Sequence, residues 1–348
     1  VRHQLKIIRH YNLLSDIVLV HVVCPVSEIS VPVPWGQIRG KAWGPDHGRP
    51  VLCLHGWADN CGTFNTLIPL LPKDCRYVAV DMPGHGLSSH RPPGVFYSFP
   101  AYVADVRRIV DGLQWMRFSI IGHSMGESHM IALYPEMVDA VVLLDALGFI
   151  PTDLTEIPKV MRQGMDEMLQ YEKKTEEKKR VYTYEKAAER LSAANPTLSE
   201  QSVNILLERG LVQLEGGASL SLLLLSERSN LSLLSHICCQ LKVADKGFCV
   251  TFPDSDQQKV ASRLLQGYHD RNVMVSVPGD HHVHLNNPEV VAPLVSEFLG
   301  HKHAHTHTHT CTRTHTHTHT QTHFKCTVLK KYLTLLLIMF FQSSCVTI

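Results

Sequence analysis

The sequence predicts an α/β fold, with a mostly parallel central sheet, helices on both of its faces and a helical lid. Three observations predict it. Four short apolar runs between residues 49 and 148 each end in a glycine-bearing loop, and a segment of helical periodicity lies among them. Residues 151–236 are charged and helix-favouring, and apolar runs return after residue 239. Near-continuous apolar strands alternating with helices are typical of parallel sheets buried on both faces.

The first part of the core is predicted at residues 29–150. Its strands are "RPVLCLHGW" (49–57), "RYVAVDMPGHG" (76–86), "FSIIGHSMG" (118–126) and "DAVVLLDALG" (139–148). Between them, "AYVADVRRIVDGLQW" is predicted to be a helix whose apolar residues share one face: Val103, Val106, Ile109, Val110 and Leu113. Ligands of such sheets bind beyond the carboxyl ends of the strands, so we expect the site in these glycine-bearing loops.

Residues 151–236 are predicted to form the helical lid, with no clear strand among them. The last part of the core, residues 237–300, brings back two strands in "QLKVADKGFCV" and "NVMVSVPGDHHVH". Residues 1–28 lack the pattern of a secretory signal, and Asp16 interrupts their apolar run, so a disordered or non-native leader is expected.

Residues 301–348 are predicted to be a disordered tail or a translated non-coding repeat. Nine histidines alternate mostly with threonine between residues 301 and 323. Such tracts can bind metal, but an AC dinucleotide repeat read in triplets encodes Thr and His. The run "YLTLLLIMFF" is short beside the roughly 20 residues of an ordinary membrane span. No stable membrane span is therefore expected.

Composition and charge restrict the possible partners. The chain has 348 residues, 44% of them hydrophobic, and a formal net charge of +1. That balance creates no global attraction to nucleic acid or to an anionic membrane, so no nucleic-acid partner is expected. The 10 cysteines form no regular framework, which favours reduced thiols and a cytoplasmic protein. Association with vesicles or organelles and the oligomeric state stay open.

A G-x-S-x-G pattern, made by Gly122, Ser124 and Gly126, marks a candidate nucleophile. A glycine-flanked serine is more often a turn residue, but this one follows the apolar run "FSII" and precedes a possible helix. A nucleophile elbow has this strand–turn–helix setting. Glycines relieve crowding at so tight a turn, and a strained serine backbone then projects the hydroxyl above the sheet.

A serine hydroxyl needs a general base, and the late segment "VPGDHHVHLNNP" offers His281, His282 and His284. His281 is nearest the strand end and is the predicted base. The acid that orients the imidazole is expected between serine and histidine in the chain. Asp245 is the first choice, as the residue that ends the penultimate strand, and Asp145, after the strand that follows the elbow, is the alternative.

Two backbone N–H groups are candidate oxyanion donors. That of Met125 directly follows the nucleophile, and that of Trp57 lies in the loop after an earlier strand, where "HGW" shapes the turn. His85, in "DMPGHGLS", is interpreted as a structural loop residue.

The segments "PVLCLHGWADN", "VAVDMPGHGLSS", "GHSMG" and "VPGDHHVHLNNPE" resemble the α/β-hydrolase superfamily. "VPVPWGQIRGKAWG" and "HGWADNCGTFNTLIPLLP" are similar, more closely, to vertebrate serine hydrolase-like proteins. The resemblance covers residues 29–299, with the lid matching less well. It implies a serine hydrolase of esterase type with Ser124 as nucleophile and His281 as base, and it implies neither a cofactor nor a metal.

The chain departs from that pattern after the elbow. Glu127 stands where a small residue is usual, and the following helix is about three residues short. Two functions are therefore expected as alternatives. The first is a serine hydrolase that cleaves small carboxylic esters or thioesters through an acyl-enzyme. The second is a catalytically weak or inactive hydrolase-fold protein that serves as a ligand-binding or interaction module.

Overall fold

The computed structural model describes most of the chain between residues 25 and 300. The described ranges are 25–95, 97–124, 134–146, 157–175, 182–213, 220–222, 247–251 and 272–300. The chain divides into two compact units, Val1–Lys302 and His303–Ile348. The second unit lies wholly outside the described residues, and so do the predicted His-Thr tail and residues 1–24 of the predicted leader.

Among the described residues, eight strands form one sheet, in the order β1-β2-β4-β3-β5-β6-β9-β10, and β7 pairs with β8 separately. The strands are β1 (Val26–Val33), β2 (Gly36–Trp43), β3 (Arg49–Leu54), β4 (Cys75–Val80), β5 (Phe118–His123), β6 (Val138–Leu144), β7 (Leu211–Gln213), β8 (Leu220–Leu222), β9 (Gly247–Thr251) and β10 (Asn272–Ser276). The six strands from β4 to β10 in this order run parallel, whereas β1 and β2 pair antiparallel. The prediction of a mostly parallel central sheet is confirmed.

The sheet begins earlier than the sequence suggested. β1 starts at Val26, so residues 26–28 belong to the sheet and the assignment of these three residues to a leader is wrong. Glu28 of β1 is ion-paired with Arg39 and with Arg209. β1 and β2 were not predicted from the sequence. β1 is largely exposed along its length and lacks the apolar run of the central strands.

Six α-helices are described: α1 (Phe99–Gly112), α2 (Ile157–Thr175), α3 (Tyr184–Ala194), α4 (Glu200–Gly210), α5 (Val283–Asn286) and α6 (Pro288–Gly300). Short 3-10 helices lie at Cys61–Phe64, Ile68–Leu70 and Pro135–Met137. Among the residues described, no helix combines the length and the apolar character needed to cross a bilayer.

Two apolar clusters cover the two faces of the sheet. Leu52 and Leu54 of β3 pack with α1, whereas Val51 and Cys53 of the same strand pack with α6. Successive residues of a strand point to opposite faces, so the two clusters lie on opposite sides. The predicted apolar face of α1 is confirmed. Four of its five residues are buried, and Leu113 packs against their cluster: Val103, Val106, Ile109 and Val110.

Three helices, α2 to α4, occupy the described part of residues 151–236. The short β7–β8 hairpin in the same region contradicts the expectation that no strand occurs there. Its strands are only three residues long, too short to leave a periodic signal in the sequence. Helix α4 is tied to the carboxyl edge of the sheet, since Asn60 donates to the Leu206 carbonyl at 2.8 Å and Arg209 pairs with Asp81 at 2.8 Å.

Candidate active site

The candidate site lies where β3, β5 and β6 end together. β5 is flanked by the other two strands, with Gly122 opposite both Leu54 of β3 and Leu143 of β6. The strands are parallel, so their loops leave from the same edge. The loop after β3 contains Trp57, Ser124 follows β5, and Asp145 follows β6. The topology thus brings together residues separated by up to about 90 positions in the chain.

Ser124 has the backbone of a strained turn. Its φ is 51°, in the left-handed region that non-glycine residues seldom adopt. Its N–H donates to the Leu144 carbonyl at 3.2 Å, which fixes the turn against β6. A Cβ at Gly56 would lie 3.0 Å from the Ser124 Cβ, so this neighbouring loop passes very close to the serine. Gly122 is buried within β5, and Gly126 lies outside the described residues.

His281 contacts a carboxylate at the same edge. Its Nδ1 lies 2.5 Å from Asp145 Oδ2, and the side chains of the two residues are 45% and 17% exposed. Asp145 directly follows β6 and also has a positive φ, 44°. This pair has the arrangement of a base and the acid that orients it.

The first-choice acid, Asp245, lies outside the described residues, as do the residues immediately before it. The described strand β9 begins at Gly247. The assignment of Asp245 as the acid stays a prediction.

His123 links the serine segment to the histidine segment. Its Nε2 donates to the His281 carbonyl at 2.8 Å, and the two rings are 4.7 Å apart between centroids. The residue before Ser124 thus holds the backbone of His281. Sequence reasoning missed this role, although the position of His123 inside the G-x-S-x-G pattern could have indicated it.

The other two late histidines are more deeply placed. His284 is fully buried and shares a hydrogen bond of 2.9 Å between its Nε2 and Thr63 Oγ1. Burial lowers the pKa of His284 and lowers the pKa of His282 to about 4, so both rings are neutral near pH 7. Among the three, His281 has the exposed ring and the carboxylate partner that a general base needs.

His55 shapes the loop that contains Trp57. The Met82 N–H donates to His55 Nε2 at 2.9 Å, so the proton is on Nδ1, which donates to the Gly56 carbonyl at 2.7 Å. Burial lowers the pKa of His55 and favours this neutral form. The C=O and N–H of a trans peptide point in opposite directions. Because the Gly56 carbonyl faces the His55 ring, the Trp57 N–H points away from it.

Of the other residues named from the sequence, some are described by the structure and some are not. Met125, the other expected oxyanion donor, lies outside the described residues, as does Glu127. His85 is buried, donates from Nδ1 to the Pro83 carbonyl at 3.2 Å, and packs edge-on against the Trp57 ring. These contacts agree with its interpretation as a structural loop residue.

Comparison with known proteins gives consistent similarities. A family profile described as alpha/beta hydrolase fold matches residues 49–197. Serine hydrolase-like protein of Danio rerio is 53% identical over 289 residues, which make up 78% of this chain and 88% of the relative. Serine hydrolase-like protein 2 of Homo sapiens is 36% identical over 296 residues, or 79% of this chain and 94% of the relative.

Solved structures share the fold. The crystal structure of a hypothetical protein from Pseudomonas aeruginosa superposes with a TM-score of 0.64 at 26% identity, over 80% of this chain and 99% of that one. The thioesterase domain from the curacin biosynthetic pathway superposes with a TM-score of 0.60 at 22% identity, over 78% and 99%. The second likeness bears on the fold alone.

Proposed function

Because this chain belongs to the α/β-hydrolase superfamily, close to the vertebrate serine hydrolase-like proteins, we propose that it cleaves small carboxylic esters or thioesters through an acyl-enzyme on Ser124. A function of serine hydrolase type follows from the relatives. Ester or thioester cleavage on Ser124 is supported above all by the contact between His281 Nδ1 and Asp145 Oδ2, 2.5 Å long, on the segments beside Ser124.

In the proposed acylation step, Ser124 Oγ attacks the carbonyl carbon of the ester while His281 Nε2 accepts the hydroxyl proton. Asp145, which contacts Nδ1, keeps the other proton of the ring on that nitrogen and stabilises the imidazolium that forms. His281 then donates its new proton to the leaving alcohol or thiol. The carbon–oxygen or carbon–sulfur bond of the substrate breaks, and the acyl group stays on Ser124.

In the proposed deacylation step, His281 removes a proton from the water molecule that attacks the acyl carbon. The bond between the acyl carbon and Ser124 Oγ then breaks, and His281 returns the proton to Oγ as the acid leaves. Each tetrahedral intermediate carries an oxyanion. The N–H groups of Trp57 and Met125 are the proposed donors to it, and each such donor is worth about 3 kcal/mol of transition-state stabilisation. The closeness of Gly56 to Ser124 supports the assignment of Trp57, since it brings this backbone to the reacting serine.

Hydrolysis of activated acyl esters tests the proposal. The purified full chain should hydrolyse p-nitrophenyl acetate and a short-chain acyl thioester, and Ser124→Ala or His281→Gln should lower kcat by about 10³-fold or more. His47→Gln, at an exposed histidine before β3, is the matched control and should leave the rate unchanged. Full activity in Ser124→Ala would contradict the proposed nucleophile. A folded wild-type protein that turns over neither substrate would instead support the ligand-binding alternative.

A further inference from the structure

A buried group of possible metal ligands adjoins the candidate active site. It consists of Asp59, His123 and His282, which are 6%, 1% and 6% exposed. One ligand atom from each of the three lies within 4.8 Å of the other two. Asp59 is in the loop after β3, His123 ends β5 and His282 follows β10, so the group joins three separate segments of the sheet edge.

Two atoms of this group face each other without a hydrogen-bond partner among the described residues. They are Asp59 Oδ2 and His123 Nδ1, which are buried and 3.6 Å apart, beyond hydrogen-bond length. His123 Nε2 carries a proton, because it donates to the His281 carbonyl. In the neutral ring, Nδ1 therefore presents a lone pair to a carboxylate oxygen. Two buried acceptors that face each other are destabilising unless a proton or a metal cation lies between them.

We propose that Asp59, His123 and His282 form a binding site for a divalent transition-metal ion of the zinc class. Zinc binds His nitrogen and Asp oxygen at about 2.0–2.2 Å, which in a tetrahedral site separates neighbouring donor atoms by about 3.3 Å. The 3.6 Å between Asp59 Oδ2 and His123 Nδ1 is close to this spacing. Three protein ligands leave the fourth position to water.

The second polar side-chain atom of Asp59 and that of His123 each form a hydrogen bond to the backbone. Asp59 Oδ1 accepts the Asn60 N–H at 2.7 Å, and His123 Nε2 donates to a backbone carbonyl. Hydrogen bonds of this kind orient ligands in metal sites, since they select the histidine tautomer and fix the carboxylate. The atoms left over, Oδ2 and Nδ1, are the pair that the proposal gives to the metal.

The donor set suits a transition-metal cation. It combines one carboxylate with two imidazoles, ligands that zinc and its neighbours in the first transition row accept.

A bound ion would act as a cross-link beside the active site. His123 precedes Ser124, and His282 follows His281. The ion would join these two segments to the loop that contains Trp57. A ligand that binds the folded chain more tightly than the unfolded chain raises its stability. The metal should therefore raise the unfolding midpoint of the full chain.

Cobalt provides the test, because Co²⁺ occupies zinc sites and its visible absorption is intense in four- or five-coordinate protein sites and weak in octahedral ones. The chelator-treated full chain is titrated with Co²⁺ alongside Asp59→Asn and His282→Gln, each checked for folding by circular dichroism. His85→Gln is the matched control, because His85 is a buried histidine outside the group whose Nε2 has no hydrogen-bond partner in the part of the chain that the structure describes. The histidines of residues 301–323 are common to all four proteins, so their contribution cancels in the differences.

The wild type and His85→Gln should bind one Co²⁺ more than Asp59→Asn and His282→Gln, and this additional ion should add intense visible absorption. Zinc should raise their unfolding midpoint by several degrees more than that of the two variants. Equal stoichiometry and equal midpoint shifts in all four proteins would overturn the proposal and indicate a proton between Asp59 and His123. If neither variant folds, the unfolding midpoint of the wild type decides: a rise on addition of zinc supports the site, and an unchanged midpoint refutes it.

Discussion

At the scale of single residues, the candidate site depends on backbone positions that few side chains tolerate. Ser124 and Asp145 have φ values of 51° and 44°, and each directly follows a strand of the sheet. Strained backbone of this kind persists where the surrounding structure fixes it, and it is concentrated at functional sites. Two neighbouring strands, β5 and β6, thus present a serine and an acid at the same edge.

The acid that orients His281 can be identified by substitution. Asp145→Asn should lower kcat for ester hydrolysis by about 10³-fold or more, because an amide favours the wrong imidazole tautomer and cannot stabilise the imidazolium. Asp245→Asn should leave kcat within about a factor of two. The two variants are matched in chemistry and differ only in place. A large loss in Asp245→Asn together with a small loss in Asp145→Asn would reverse the assignment.

His85 should make the protein sensitive to acid. Burial, helped by the nearby His55, lowers its pKa from 6.5 to about 3, against the opposing attraction of Asp59. The unfolded chain takes up a proton as pH falls through 6.5, whereas the folded chain does not until about pH 3. The contribution to stability is therefore complete above pH 6.5 and is lost as pH falls toward 3.

Unfolding by denaturant at pH 7.5 and pH 5 measures this effect. The wild type should lose more free energy of unfolding between the two pH values than His85→Gln does, by about 2 kcal/mol. An equal loss in both proteins would show that this ring does not resist protonation.

At the scale of elements, helix α4 depends on one buried arginine. Arg209 is 3% exposed, and its side chain reaches both Asp81 after β4, at 2.8 Å, and Glu28 in β1, at 2.6 Å. Burial opposes the charge of Arg209, but its two carboxylate partners outweigh burial and raise its pKa. The guanidinium thus ties a helix of the predicted lid to two strands of the core.

Replacement of this arginine should be costly. Arg209→Met should lower the free energy of unfolding by about 3–5 kcal/mol, because it leaves the carboxylate of Asp81 buried without its cation. Arg107→Met provides the control, since Arg107 pairs with Asp111 on the exposed face of α1 and such pairs contribute about 0.5 kcal/mol or less. Similar losses in the two variants would contradict the role given to Arg209.

The elements that the sequence predicted correctly share a physical cause. β3 to β6 are buried on both faces, and the apolar face of α1 repeats with the helical period. The sequence pattern of these elements therefore reflects their burial directly. β1 was missed because it is largely exposed. Asp145 was weighed only as an alternative, because its meeting with His281 depends on tertiary contacts across 136 positions.

At the scale of the whole molecule, the chain is predicted to function without its last segment. The contacts divide it at Lys302, and the residues of the candidate site lie in the first unit. A chain that ends at residue 302 should therefore keep both the unfolding midpoint and the rate of ester hydrolysis of the full chain. Differential scanning calorimetry and a kinetic assay measure the two. A fall of more than about 5 °C in the midpoint, which for a chain of this size exceeds 1 kcal/mol, would contradict the division.

Covalent labelling measures directly whether Ser124 is a nucleophile that His281 makes reactive. The full chain is treated with a fluorophosphonate, digested, and the modified residue identified by mass spectrometry. We expect a single phosphonylated residue, Ser124, with much slower labelling in His281→Gln and none in Ser124→Ala. A folded wild-type protein that stays unlabelled, or that is labelled on another residue, would contradict this expectation.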